Sequence, residues 1–170
     1  MALFGPARPP GMLSRLLWRL VSPKFWLKTL MSLAVLGFVL VPSIADLVNA
    51  VMKPVESDQG QCRILNVVDG DTLTISCAAS GLGRARIQGY DTPEKYAPKC
   101  LGEFLAAESA SWALRTLIQK AERIEITHQG ADQYGRSLIL LTLDGLDVAR
   151  AMIRAGHARA YGGGLRGSWC

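Results

Sequence analysis

The sequence predicts a β-rich α+β domain, a small five-stranded barrel of the OB type with inserted helices, preceded by an apolar N-terminal membrane segment. Two observations carry this. Over residues 62–143 five short runs alternate apolar and polar side chains, and between the third and fourth of them the period lengthens to three or four residues over 101–121. An uncharged apolar run at 29–45 stands ahead of all of them. Three strands, a helix, two strands and a short helix fit a Greek-key barrel, with an α+β sandwich as the alternative packing of the same elements. With 170 residues, 49% of them hydrophobic and 19% charged, the chain suffices for one domain and an appendage. No repeat or low-complexity stretch occurs, which excludes solenoid, collagen-like and disordered readings.

The first element is read from charge. Residues 1–28 form a basic lead that carries Arg8, Arg15, Arg19, Lys24 and Lys28 and no acid. The remaining chain holds fourteen basic and fourteen acidic residues, so the net charge of +5 belongs to the lead and is not evidence for a basic nucleic-acid surface. Residues 29–45 are uncharged and end at Asp46, a span at the short end of what crosses a bilayer. Positive charge before it keeps the N-terminus in the cytoplasm and sends the rest outward. The segment is either a retained single-pass signal anchor or a signal peptide cut after Ala45 or Ala50, which would leave the domain periplasmic or secreted. Residues 46–60 lose apolar character and read as a linker, so the domain is expected over 61–161 with a tail at 162–170.

Within the domain, strands are expected at 62–68, 71–77 and 84–90. Asp69-Gly70 between the first two is a strong hairpin signal, and a two-residue turn there pairs Cys62 with Cys77, at a hydrogen-bonded position with Cα atoms about 5.5 Å apart. Four cysteines, Cys62, Cys77, Cys100 and Cys170, allow three pairings, and an oxidising compartment permits them. The register favours Cys62 with Cys77 and leaves Cys100 for Cys170. The helix at 101–121 presents Phe104, Ala107, Ser111, Leu114, Ile118 and Ala121 on one face, widened by Ala110 and Leu117. Alternation returns at 122–128 and 136–143, and Asp147 caps a helix whose Val148, Met152 and Ile153 face inward and which stops at Gly156.

Charged side chains gather at the strand ends: Asp69 and Asp71 at the first turn, Asp91-Thr92-Pro93-Glu94 after the third strand, and Asp132-Gln133-Tyr134-Gly135-Arg136 before the fifth, with Arg86 inside the third. On one barrel rim, carboxylates would hold a hard cation, guanidiniums would take the non-bridging oxygens of a phosphate, and a free carboxylate would accept a proton from water. Phosphodiester hydrolysis needs that set. Strict alternation puts Arg86 and Asp91 on opposite faces, so a bend is expected, with Gly89 the obvious place. Asp69-Gly70-Asp71 is not an EF-hand, because Leu73 and Ser80 stand where oxygen ligands belong. His128 and His157 read as ordinary strand and loop residues.

With Val68-Asp69-Gly70-Asp71-Thr72, Arg86-x4-Asp91-Thr92-Pro93-Glu94 and Asp132-x-Tyr134-Gly135-Arg136 in this order, the sequence resembles the staphylococcal nuclease (thermonuclease) family over about residues 62–161. The resemblance implies an OB-fold that cleaves DNA and RNA with Ca²⁺. It implies Asp71 and Asp91 as calcium carboxylates, Thr92 as a ligand through its backbone carbonyl, and Glu94 as the group that orients or deprotonates the attacking water. Arg86 and Arg136 are implied on the scissile phosphate, and Tyr134 and Tyr161 beside the nucleotide; Asp69 matches an acidic position near the metal but reads as a turn residue. The expected function is a Ca²⁺-dependent nuclease acting on DNA or RNA outside the cytoplasm, monomeric, with nucleic acid as substrate, the membrane as its N-terminal contact and no obligate protein partner. The alternative is a catalytically inactive OB-fold module of the cell envelope that binds nucleic acid or protein.

Overall fold

The computed structural model describes residues 23–170, and the arginines of the basic lead lie outside the described residues. The described residues fall into two units that divide after Pro42, the second comprising residues 43–170. In the first, helix α1 (Pro23–Met52) begins, and its stretch Pro23–Asn49 is long and apolar enough to cross a membrane. Pro42 lies inside this helix at the division between the units; it has no N–H to donate one turn back.

The second unit is a curled mixed sheet with helices against it. Strands β1 (Glu56–Ser57), β2 (Cys62–Asp69), β3 (Thr72–Cys77), β4 (Gly81–Ile87), β6 (Ile124–Ala131) and β7 (Ser137–Leu143) lie in the order β1-β6-β7-β4-β3-β2, with β8 (Leu146–Asp147) beside β7. β4 and β7 run parallel and the β2-β3-β4 meander is antiparallel, which gives the Greek-key order expected of an OB half-barrel. A single bridge from Val55 to Cys62 links the two ends of the sheet. Helix α2 (Leu101–Lys120) follows the short strand β5 (Gly89–Asp91), and helix α3 (Val148–Arg154) precedes β9 (Arg159–Tyr161), which pairs antiparallel with β5. Leu73, Ile87, Tyr90, Leu114, Ile118, Ile139 and Met152 fill the core between sheet and helices.

Residues 46–60 are built into the domain rather than strung beside it. α1 runs to Met52, β1 pairs in parallel with β6, and Asp46 and Asn49 are buried. Asp46 forms an ion pair with Arg115 at 3.2 Å, while Arg115 donates its other nitrogen to the Val67 carbonyl. Lys53 donates to the carbonyls of Ile118, Gln119 and Ala121, closing the C-terminal end of α2 where the helix dipole favours a cation. A two-residue strand and a buried ion pair leave too little periodicity to be read from composition.

The first hairpin holds a correction. Cys62 lies opposite Cys77 and Ile64 opposite Ile75 as expected, but the turn is at Gly70-Asp71, with Asp69 opposite Thr72, and two register shifts in β2 absorb the difference. Cys62 exchanges its backbone hydrogen bonds with Val55, so the cysteine pair is a non-hydrogen-bonded one, and its Cα atoms lie 4.0 Å apart. Disulfides join Cys62 to Cys77 and Cys100 to Cys170. The first closes a separation of 15 residues, a constraint worth about 3 kcal/mol against the unfolded chain.

Candidate active site

Two local devices bring the predicted residues together. The first is Gly70: a Cβ there would stand 2.8 Å from the Ala110 Cβ and 2.9 Å from the Thr92 Cγ2, so only glycine lets the hairpin tip press against α2 and the 91–94 segment. The Tyr90 hydroxyl, fully buried, donates to the Gly70 carbonyl at 2.9 Å and fixes that approach. The second is Gly89, at φ +92, where β4 ends and β5 begins. The break turns Arg86 and Asp91 to the same side, and the Arg86 guanidinium donates to Asp91 at 3.2 Å.

Arg86, Asp71, Asp91 and Thr92 are all buried. One Arg86 nitrogen, Nη2, reaches Asp71 Oδ2 at 2.7 Å and Asp91 Oδ1 at 3.2 Å, so the two carboxylates converge on one cation-sized point. Thr72 donates its hydroxyl to the other Asp71 oxygen at 2.7 Å. Desolvation still holds the Asp71 carboxyl above the ordinary carboxylate range despite the adjacent guanidinium, and pushes Asp69 up to about 6, with Asp71 and Glu94 adding to it. Buried carboxylates left short of positive charge, all with hard oxygen donors, fit a divalent cation such as Ca²⁺. Among the described residues no three His, Cys, Asp or Glu side chains cluster to hold a metal, so Asp71, Asp91 and the Thr92 carbonyl would form a partial set that water or substrate oxygens complete.

Around this point lies a pocket of about 120 Å³ lined by Asp71, Thr92, Glu94, Arg86 and Arg136 together with Asp69. Arg136 is half-buried at the end of the 132–136 turn, where Asp132 accepts from its Nε at 2.7 Å and from its backbone N–H at 2.9 Å. Burial opposes ionisation of Asp132, but those bonds hold its carboxyl below the usual range. Next to the pocket is a larger groove of about 890 Å³ containing Tyr134 and Tyr161. Tyr134 is 75% exposed and lies with its ring 5.6 Å from the Arg136 guanidinium. The structure thus gathers Asp69, Asp71, Arg86, Thr92, Glu94 and Arg136 at one pocket, sets Asp91 against its Arg86, and puts both tyrosines in the adjoining groove. His128 is engaged by Asp58 at 2.7 Å and His157 by Ser109 at 3.4 Å.

Some residues of the site escape the sequence reading. Glu103, buried in the first turn of α2, accepts from the backbone N–H groups of Lys99 at 2.6 Å and Glu94 at 3.4 Å, which sets the loop carrying Glu94. Its signal is the Cys100-x-x-Glu103 spacing, a capping pattern with cysteine as the cap. Arg166 reaches Asp91 Oδ1 at 3.1 Å and Glu94 at 3.8 Å, and Trp169 donates its Nε1 to Asp91 Oδ2 at 3.4 Å. Nothing local marks either residue; only the fourth cysteine pointed to a tail tied back to the body.

Comparison with known proteins agrees with this geometry. The family described as Staphylococcal nuclease homologue matches residues 84–164. The "Thermonuclease" of Staphylococcus hyicus is 29% identical over 98 residues, which cover 58% of this chain and 57% of that protein. An "Uncharacterized endonuclease" of Haemophilus influenzae is 24% identical over 115 residues, 68% of this chain and 60% of that protein. The chain therefore spans about three-fifths of the length of these curated relatives. The half-barrel, the order of its motifs and the match over 84–164 together support membership of the domain in the staphylococcal nuclease family.

Proposed function

We propose that this protein is a Ca²⁺-dependent nuclease that hydrolyses phosphodiester bonds of DNA or RNA outside the cytoplasm. The observation that carries the reading is the convergence of Asp71 and Asp91 on one point beside Arg86, with Glu94 and Arg136 facing the same pocket. When bound, a calcium ion supplies positive charge that draws electron density from a phosphate oxygen. Asp71, Asp91 and the Thr92 carbonyl would hold it. Glu94, half-exposed, accepts the proton of the attacking water as its oxygen bonds to phosphorus, and the ester bond to one sugar oxygen breaks, that oxygen taking a proton from solvent. Arg86 and Arg136 donate to the non-bridging oxygens, whose charge grows in the transition state, and the tyrosine-lined groove receives the nucleoside.

The reading of an exported, anchored domain rests on the acid-free basic lead, the apolar helix and the two disulfides. The Asp46–Arg115 pair favours retention of the anchor over cleavage after Ala50, which would leave the Arg115 guanidinium buried without its carboxylate.

The test uses the full chain in neutral detergent on single-stranded DNA and on RNA, with Ca²⁺, with EDTA, and as Glu94→Gln. Cleavage is expected with Ca²⁺, none with EDTA, and a loss of about 10²–10⁴ in turnover for the variant. A folded wild-type chain that cleaves neither substrate supports the inactive OB-fold module instead.

A further inference from the structure

Three residues line both the carboxylate pocket and the tyrosine groove: Arg86, Arg136 and Arg166. They form the boundary between the place that would hold the cation and base and the place that would hold the nucleoside. In a phosphodiester the phosphate occupies that boundary position. Arg86 and Arg136 come from the barrel. Arg166 comes from the segment 162–170.

That segment is held in place. β9 pairs with β5, Arg159 opposite Asp91 and Tyr161 opposite Gly89, so the chain enters this pair beside Asp91 and leaves it beside Gly89. It then reverses through Gly163 and Gly164, both at positive φ, with the Tyr161 hydroxyl donating to the Gly164 carbonyl at 2.7 Å. Arg159 donates to the Ser168 carbonyl at 2.8 Å and lies 3.8 Å over the Trp169 ring, and Cys170 is bonded to Cys100 at the N-cap of α2. Seven residues after Gly163, the backbone is fixed to the same helix terminus that carries Glu103. A loop tied at both ends presents its side chains at little further entropic cost.

Charge gives Arg166 its task. Asp69, Asp71 and Glu94 line the pocket and Asp91 lies against it, while Arg86 is shared between Asp71 and Asp91 and Arg136 gives its Nε edge to Asp132. An approaching phosphodiester meets more carboxylates than free guanidinium. Arg166 engages Asp91 through Nε, the inner edge of its fork, and lies 3.8 Å from Glu94 through Nη1; with 41% of its side chain exposed it keeps further N–H groups open to the pocket and the groove. Arg84, the other arginine of the pocket, does not line the groove.

We propose that Arg166 is a third phosphate-binding guanidinium of this site, supplied by the 162–170 segment, and that the Cys100–Cys170 disulfide keeps it there. This rests on the nuclease reading above. The chemical class it recognises is the phosphodiester of a single strand that crosses from the groove into the pocket.

The experiment measures the affinity of the full chain in neutral detergent for a single-stranded 12-nucleotide DNA in EDTA, over a series of salt concentrations, alongside cleavage with Ca²⁺. Arg166→Ala is expected to weaken binding about tenfold and to lower the slope of log K against log salt by about 0.7, the loss of one phosphate contact on a single strand. Arg166→Lys restores the slope but only part of the affinity, because an ammonium keeps the charge and loses the fork. Cys100→Ser with Cys170→Ser keeps an N-cap oxygen on α2 and is expected to weaken binding toward the Arg166→Ala level. An unchanged slope and affinity in Arg166→Ala overturns the proposal, as does tighter binding, which would make the segment a plug. A wild-type chain that cleaves with Ca²⁺ but shows no binding in EDTA overturns it while leaving the nuclease reading intact. One that neither binds nor cleaves overturns both.

Discussion

The two sides of the pocket are built differently. On the proposed cation side, Asp71, Arg86, Asp91 and Thr92 are at most 8% exposed, lie in or directly against core strands, and are fixed by Gly70, Tyr90 and the bend at Gly89. On the proposed substrate side, Arg136, Tyr134, Tyr161 and Arg166 project from a turn, a three-residue strand and a tail. Charge that must be preorganised is set in the core, where water cannot reorient around it. Groups that must meet a flexible chain of variable sequence are left where they can adjust. The difference predicts that substitutions on the first side damage folding and activity together, and on the second side activity alone.

The sharpest break of that comparison is Arg86→Ala. It removes the guanidinium between two buried carboxylates and leaves Asp71 without its ion pair, while Asp91 keeps Arg166; breaking such a buried pair costs about 3–5 kcal/mol. Turnover should fall by at least roughly 10³, from loss of a transition-state donor and of the site's shape. A thermal melt beside the rate separates the two: an inactive variant that melts with the wild type would show that the carboxylates find other partners.

Arg136→Ala should divide the effects the other way. The side chain is half-buried and its pair with Asp132 lies within a turn, a contact worth about 0–1 kcal/mol. Turnover is expected to drop by roughly 10²–10³ with the melt nearly unchanged. A large loss of stability would place Arg136 with the core side and erase the difference between the two sides.

The same divide explains what could be read from sequence. Asp71, Arg86, Asp91 and Arg136 were legible because each stands beside a turn or strand end whose local chemistry is strong, and the Gly89 bend followed from a parity argument alone. The hairpin was harder: Asp69-Gly70 marks a turn, yet the tip pressed against Ala110 and Thr92 moves it to Gly70-Asp71, and two irregularities in β2 restore the register at the cysteines. On α2 the buried stripe is legible, Ser111 included, but Glu103 and Arg115 are not, since they are buried to serve the 94–99 loop and Asp46. Partners 69 residues apart, such as Asp46 and Arg115, leave no periodic trace. Arg166 lies further still from legibility, because its position depends on a disulfide, a strand pair and two glycines acting at once.

The finest test of the substrate side is Tyr134→Ala. The ring is 75% exposed, so its removal should leave the melt within experimental error. If the ring stacks on a base, its loss should weaken substrate binding by about 1–3 kcal/mol. The effect should concentrate in KM, because the ring lines the groove and not the pocket that holds Glu94 and the carboxylates. Steady-state kinetics on a short single strand decides it. A fall confined to kcat would mean that Tyr134 acts through the Arg136 guanidinium 5.6 Å away, and the boundary between groove and pocket would then lie one residue further out than the cavities place it.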